Sequence, residues 1–360
     1  MIPRVCLPLV LVESILLACL SLHPAEACCT APPQGKPVVN ADQTVILIWD
    51  AATKTQHFIR QASFKSEADD FGFLVPTPAQ PVLEESGNDA FGTLQKLTEP
   101  EKKKSPPSGG MGCGCGAARN LSPGDTQSEV RVLEEKMVAG FNAVVLETKS
   151  ADDLVAWLKD HGYAYSPELQ AWAKPYVESG WKITALKVAK NQEAKDKTNV
   201  AASALRMTFQ TDRPLFPYRE PDSNQSAEVL GAKNRLLRIY LIADSRYKGE
   251  LTKEDPWTGN VAWAGPVKDE DRKQLLEQLK LPLTTGPKEW WLTEFEDIWP
   301  YRVAPADVFF SRDADQKRVR RPAIYVSTSP HWPTDGAAYA LAGVLVLTPL
   351  WNRLRRRHKV

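Results

Sequence analysis

Thiols are the most chemically versatile groups in this 360-residue chain, and four of its six cysteines stand in two close pairs, Cys28-Cys29 and Cys113-Gly114-Cys115. Paired thiols can close disulfides, hold a metal ion as thiolates, or cycle between dithiol and disulfide. Adjacent and one-apart cysteines chelate a tetrahedral ion less comfortably than the Cys-x2-4-Cys spacing of structural zinc sites, whereas Cu(I) is less demanding of geometry. In an oxidising compartment the even count left after removal of a leader favours disulfides. A bridge between the two pairs would close a loop of about 85 residues and stabilise the fold by ~4–5 kcal/mol in the chain-entropy model. Spacing leaves the connectivity open. A thiol-based metal or redox site built from Cys28, Cys29, Cys113 and Cys115 is the alternative reading. No metal site is assigned and no cofactor is implied.

Histidine offers little. His23 and His358 lie near the chain ends, leaving His57, His161 and His331, too few for a His-rich metal site. His57 falls mid-strand and is expected to be an ordinary exposed residue, while His161 falls in the last turn of a helix, where a partly cationic ring suits the dipole. There is no Gly-x-Ser-x-Gly, His-Glu-x-x-His or P-loop pattern, so no catalytic residue is assigned and the reading leans away from an enzyme. The 11 tryptophans include Trp290-Trp291 and Trp299, interleaved with Glu289, Glu294, Glu296 and Asp297. Carboxylates beside aromatic platforms can grip a sugar or serve as general acid and base. Adjacent strand residues face opposite ways, however, so Trp290 and Trp291 are expected to pack the core instead.

The elements that must position these residues are framed by the composition. At 43% hydrophobic and 25% charged, the chain has material for a packed core in one large domain or two smaller ones. Its 45 basic residues nearly cancel its 44 acidic ones, which removes the electrostatic case for a nucleic-acid partner. Arg353, Arg355, Arg356, Arg357 and Lys359 crowd the C-terminus and read as a topology signal. They follow Gly336 to Trp351, GAAYALAGVLVLTPLW, a run without a charge. As a helix this run spans ~24 Å, marginal against a ~30 Å hydrocarbon core. Its leucines and valines favour insertion by roughly 2–4 kcal/mol, and the arginines hold that end inside. At the other end, an apolar stretch from Val5 to Leu22 precedes Ala25-Glu26-Ala27, the small-x-small pattern that signal peptidase reads. Leu16-Leu17-Ala18-Cys19 approximates a lipoprotein processing box and ranks second. The expectation is a signal peptide at 1–27, an extracytoplasmic body at 28–335 with a break near 99–116, one membrane helix at 336–351 and a cytoplasmic tail at 352–360. The membrane is then a partner through the C-terminal helix; an envelope protein or glycan partner is compatible and unidentified.

Along the body, Thr44 to Trp49 and Gln56 to Phe64 predict a hairpin turning at Asp50 to Thr55, and Asp70 to Pro78 a third strand stopped by its two prolines. Asp89 to Leu97 predicts a helix. Glu99 to Gly116 reads as a loop. Strands follow at Glu129 to Leu133 and Ala139 to Glu147, then a helix capped by Ser150 and ended by Gly162, and another opened by Ser166-Pro167 and ended by Gly180. Trp181 to Val188, Leu205 to Gln210, Leu236 to Ile242 and Ala323 to Ser327 are further strands, and Asp269 to Leu281 a polar-faced helix. Strands outnumber helices and are joined mostly by turns. That pattern predicts an α+β fold, with largely antiparallel sheets and a few packing helices.

Several of these segments together are similar to the bacterial family known as domain of unknown function 2330. They are Cys28-Cys29, ADQTVILIWDAATKTQHFIRQASF (41–64), DDFGFLVPTPAQP (69–81), GCGCG (112–116), the helix pair ending in Tyr176-Val177-Glu178-Ser179-Gly180-Trp181, and LRMTFQTDRPLFPYR (205–219). The resemblance covers nearly the whole body. It implies a signal peptide and often a C-terminal membrane segment, and it brings no established activity and no site residues.

Overall fold

The computed structural model describes residues 29–31, 43–60, 63–64, 72–105, 130–163, 165–188, 200–201, 203–221, 235–251, 256–299 and 304–327. The expected leader, Cys28, Cys113, Cys115, the 336–351 segment and the basic tail with Arg353, Arg355, Arg356, Arg357 and Lys359 lie outside these residues. The fold is mixed α+β, with mostly antiparallel sheets and four helices among the described residues.

By its internal contacts the chain divides into two units, the larger holding residues 1–99 and 115–321. Its main sheet has seven strands in the order β16 (Asn260–Pro266), β17 (Trp291–Trp299), β14 (Arg235–Ala243), β2 (Gln43–Asp50), β3 (Thr55–Arg60), β12 (Ala204–Gln210), β6 (Val82–Ser86). All neighbours are antiparallel except β14 and β2. A second, five-stranded sheet runs β1 (Cys29–Ala31), β5 (Gly72–Thr77), β10 (Lys182–Val188), β9 (Phe141–Glu147), β8 (Arg131–Val138). Three short strands, β13 (Leu215–Phe216), β18 (Val308–Arg312) and β15 (Tyr247–Glu250), form a small sheet, and β4 (Ser63–Phe64) pairs with β11 (Val200–Ala201).

Alternation along the strands shows how these sheets stack. Val45, Leu47, Phe58, Met207, Leu237 and Ile239 of the main sheet share one buried core with Phe73, Val75, Phe141, Ala143, Val145 and Leu186 of the second sheet. The opposite face of the main sheet, with Ile46, Ile48, Ile59 and Ile242, packs under helices α1 (Asp89–Leu97) and α4 (Asp269–Gln278). The opposite face of the second sheet, with Leu74, Val144, Leu146 and Ile183, packs under α2 (Ala151–Asp160) and α3 (Pro167–Glu178). The order is helix, sheet, sheet, helix. Both sheets are covered on both faces, which explains near-continuous apolar runs such as VILIW and AVVL in antiparallel strands.

Local signals set the boundaries. The Ser150 hydroxyl accepts from Asp153 N at 3.1 Å and the Ser166 hydroxyl from Leu169 N at 3.3 Å, closing the N-termini of α2 and α3. Gly162 and Gly180 follow these helices at φ +70° and +73°, the left-handed geometry that ends them. The turn between β8 and β9 is Ala139-Gly140, both at positive φ, a two-residue hairpin whose twist matches its strands.

The third strand, β5, passes through Pro76 and ends at Thr77, and β1 pairs only as far as Leu74, so Pro76 has a ladder partner on one side. Three expectations are corrected. The second strand of the first hairpin ends at Arg60 instead of running to Phe64. Residues 99–116 are not all loop, because β7 (Lys102–Ser105) pairs parallel with β19 (Ile324–Ser327). These two strands are the described part of the smaller unit, residues 100–114 and 322–360. His57 is not an exposed strand residue, as described below.

Candidate functional site

Strand β17 concentrates the charge of the interior. Its sequence WLTEFEDIW alternates Leu292, Glu294 and Glu296 toward the helix-covered face with Thr293, Phe295 and Asp297 toward the core between the sheets. Two separate polar clusters result.

On the helix-covered face, register places Tyr240 opposite Glu294 and Arg238 opposite Glu296. Arg238 Nε lies 3.0 Å from Glu294 Oε1, and its Nη2 donates to Glu296 Oε1 at 2.6 Å. Arg321 arrives from the far end of the chain and donates from Nη2 to both Glu294 Oε1 and Glu296 Oε1 at 2.8 Å, and from Nη1 to Glu296 Oε2 at 3.2 Å. Glu294 is 1% exposed, Glu296 16% and the two arginines about a fifth each. Burial pushes the Glu294 carboxyl above its ordinary range, against the pull of Arg321 and Arg238. For Glu296 burial is the largest single influence, but hydrogen bonds and charge from Arg321 and Arg238 together outweigh it and hold the carboxyl low. Burial and the Glu294 charge push the Tyr240 hydroxyl up to about 12. Two acids and two bases balance here, so the cluster carries no net charge.

Between the sheets, Asp297 is fully buried and collects three donors: Tyr218 Oη at 2.9 Å, Trp257 Nε1 at 2.8 Å and Thr258 Oγ1 at 2.7 Å. Asp307, 8% exposed, accepts through Oδ1 from Tyr176 Oη at 2.9 Å, Tyr218 N at 3.0 Å and Arg219 N at 3.1 Å. Burial pushes the Asp307 carboxyl up. Tyr218 touches both acids, so one relay links helix α3, the 213–221 segment, the small sheet and β17. Trp172 Nε1 adds a bond to Arg219 O at 2.8 Å.

The third polar site lies beside the end of α4. Arg206, 4% exposed, donates to Leu279 O at 2.7 Å and to Glu84 Oε2 at 2.9 Å. His57 sits on the neighbouring strand, bonded through Nδ1 to Thr208 Oγ1 at 2.9 Å. Burial first, and then the Arg206 charge, lower its pKa to about 4, so the ring is neutral at pH 7. His161 caps α2, with Nδ1 2.8 Å from Trp157 O and its ring stacked on Trp157.

The sequence-derived sugar platform is not assembled. Trp290 is 2% exposed in the core under α4, with Arg272 over its ring, while Trp291 is half-buried. Glu294 and Glu296 are turned to arginines on one face and Asp297 to the opposite core. Of the cysteines, only the backbone of Cys29 is described, paired in β1 with Leu74. Among the described residues no group of three or more His, Cys, Asp or Glu is placed to hold a metal ion, and no helix is long and apolar enough to cross a membrane. Sequence reasoning missed Arg238, Arg321, Asp307 and Tyr218. The available signal was the paired i, i+2 spacing of Arg238-Tyr240 and Glu294-Glu296, which register can bring face to face.

The chain belongs to the family described as "Uncharacterized protein conserved in bacteria (DUF2330)", whose model matches residues 23–307. No curated protein matches it. Among solved structures it is similar to the crystal structure of baculovirus P35 at 9% identity and a TM-score of 0.35, covering 82% of this chain and 100% of that one. A likeness of that size carries no argument about fold or function.

Proposed function

We propose that this bacterial protein is a non-catalytic binding or scaffolding component of the cell envelope. In this reading residues 1–27 are removed as a leader, residues 28–335 stand outside the cytoplasm, and 336–351 hold the body to the cytoplasmic membrane with Arg353 to Lys359 inside. Cys28, Cys29, Cys113 and Cys115 then close disulfides in the oxidising compartment. One observation supports the non-catalytic part: the interior carboxylates Asp297 and Asp307 each accept three hydrogen bonds from separated segments of the chain. Acids engaged in this way hold segments together.

The test is protease added to intact spheroplasts. Digestion of the body with survival of a small C-terminal fragment supports the topology, since each arginine costs ~2.5–3.5 kcal/mol at the bilayer centre. Full solubility after lysis without detergent overturns it. Intact mass with and without reductant tests the thiols: four alkylatable cysteines, or a stoichiometric metal, would favour the thiol-based site instead.

A further inference from the structure

Arg60, the last residue of β3, is a buried cation. In the register of the main sheet it stands opposite Val45 and Leu205, both in the core between the sheets, so its side chain points inward. It is 7% exposed, and its guanidinium lies 4.9 Å over the Phe73 ring. Its Nη1 is enclosed and has no hydrogen-bond partner, and among the described residues no ion pair engages it. Glu85 closes the same cross-strand row, but it stands two strands away, at about 10 Å, and its Oε1 accepts from Ala139 N at 3.1 Å. A ring face offsets only a small part of the cost of burying an unpaired guanidinium.

Gln43 stands on the same face. It precedes Val45 by two residues, which makes it the diagonal neighbour of Arg60 across the β2–β3 pair, at ~7–8 Å, a separation that long side chains span. Its Oε1 is also enclosed without a partner. A donor and an acceptor within reach of each other are both left unmet, the arrangement expected where a third group bonds to both.

We propose that Arg60 and Gln43 form a binding site for an oxyanion, a carboxylate or a phosphate, at this end of the core between the sheets. The planar guanidinium, held on Phe73, offers the two-pronged edge that matches such an anion. The Gln43 amide carries an acceptor and two donors and turns to present either, so it supplies the second contact. The site gives the binding role proposed above a ligand chemistry; it rests on that role and not on the membrane anchor.

The full chain in detergent is melted in chloride at fixed ionic strength, with and without acetate or inorganic phosphate. A probe at about tenfold excess over its dissociation constant should raise Tm by about 2 °C. The expected result is a rise of that size with at least one probe, the stronger one naming the anion, and none in Arg60→Met. In chloride alone Arg60→Met should melt at or above wild type, because an apolar chain of similar length replaces an unpaired buried charge. A variant that melts about 5 °C or more below wild type in chloride alone would reveal a counter-ion within the chain and overturn the proposal. A wild type indifferent to both probes overturns it too, as does an equal rise in the variant, which marks binding elsewhere on the surface. Arg60→Lys keeps the charge without the two-pronged edge and should respond to the probes at least tenfold more weakly in concentration; an unchanged response refutes the role of the guanidinium. Failure here removes this ligand and leaves the protease test of topology untouched.

Discussion

Arg321→Ala tests the energetics of the charged cluster most directly. The substitution removes both Arg321 contacts to Glu296 and its contact to Glu294, leaving Arg238 to balance two carboxylates. Breaking one partner out of a buried ion pair costs ~3–5 kcal/mol, and the partial exposure of Arg321 and Glu296 puts the expected loss near ~3 kcal/mol. For a body of about 300 residues that lowers Tm by about 5 °C. The loss should depend on pH with a definite sign. Glu294 already has a raised carboxyl, and losing Arg321 raises it further. A carboxyl whose folded pKa exceeds its unfolded value destabilises the fold above that folded pKa and is relieved as the proton binds. The difference from wild type should therefore be largest near pH 8 and shrink toward pH 5, measured by calorimetry on the detergent-solubilised full chain. Arg321→Ala/Glu294→Gln should recover part of the loss at pH 8. A loss below ~1 kcal/mol, or one flat across this range, would refute the assignment of Arg321 as the counter-ion of a buried acid.

Asp307→Ala leaves two backbone N–H groups and the Tyr176 hydroxyl without their acceptor and should cost ~3 kcal/mol or more, whereas Tyr176→Phe should cost ~1 kcal/mol; urea midpoints separate them. His57, lowered to about 4, leaves the unfolded chain holding more protons between pH 6.5 and 4, so stability should fall on acidification through that window by up to ~3 kcal/mol. His57→Gln should flatten that slope, and an unchanged slope would show the ring is not buried neutral. Lys280 ends α4 at φ +54° with Leu281 N bonded to Leu276 O at 2.8 Å, a position that suits glycine; Lys280→Gly should stabilise by ~0.5–1 kcal/mol in thermal melts.

Elements with local causes were legible. Helices α2 and α3 announced themselves through Ser150, Ser166-Pro167 and the glycines that end them, because caps act within one turn. The β2–β3 hairpin was legible for a similar reason, its strands being β-branched and joined by a short turn. Strand β17 was not identified, since four of its residues are acidic or hydroxylic and their partners, Arg238 and Arg321, lie 58 and 25 residues from Glu296. Short β6 and bulged β16 were missed too, because β-propensity reflects neighbours that register alone supplies. The carboxylates of β17 were singled out beside its tryptophans, but their distribution over two faces was visible only once the strand was recognised. His57 was misjudged because the groups beside it, Thr208 and Arg206 on the adjacent strand, are remote in sequence.

The last stretch of the larger unit has a mechanical consequence. Residues 313–321 are fastened in series: Arg246 pairs with Asp313 at 3.2 Å and Asp315 at 3.5 Å, and its backbone N–H donates to Gln316 Oε1 at 2.9 Å. Val319 exchanges both backbone bonds with Ala264, at 2.9 and 3.0 Å. Arg320 lies 4.3 Å over Trp263, and Arg321 closes the row on Glu294 and Glu296. A pull applied at residue 322 meets these fasteners one after another from the C-terminal side, with the doubly paired Arg321 loaded first. The strap therefore works as a strain relief, dissipating tension before it reaches the strands of the main sheet. In single-molecule pulling, Arg321→Ala should remove the earliest rupture and leave the later ones in place.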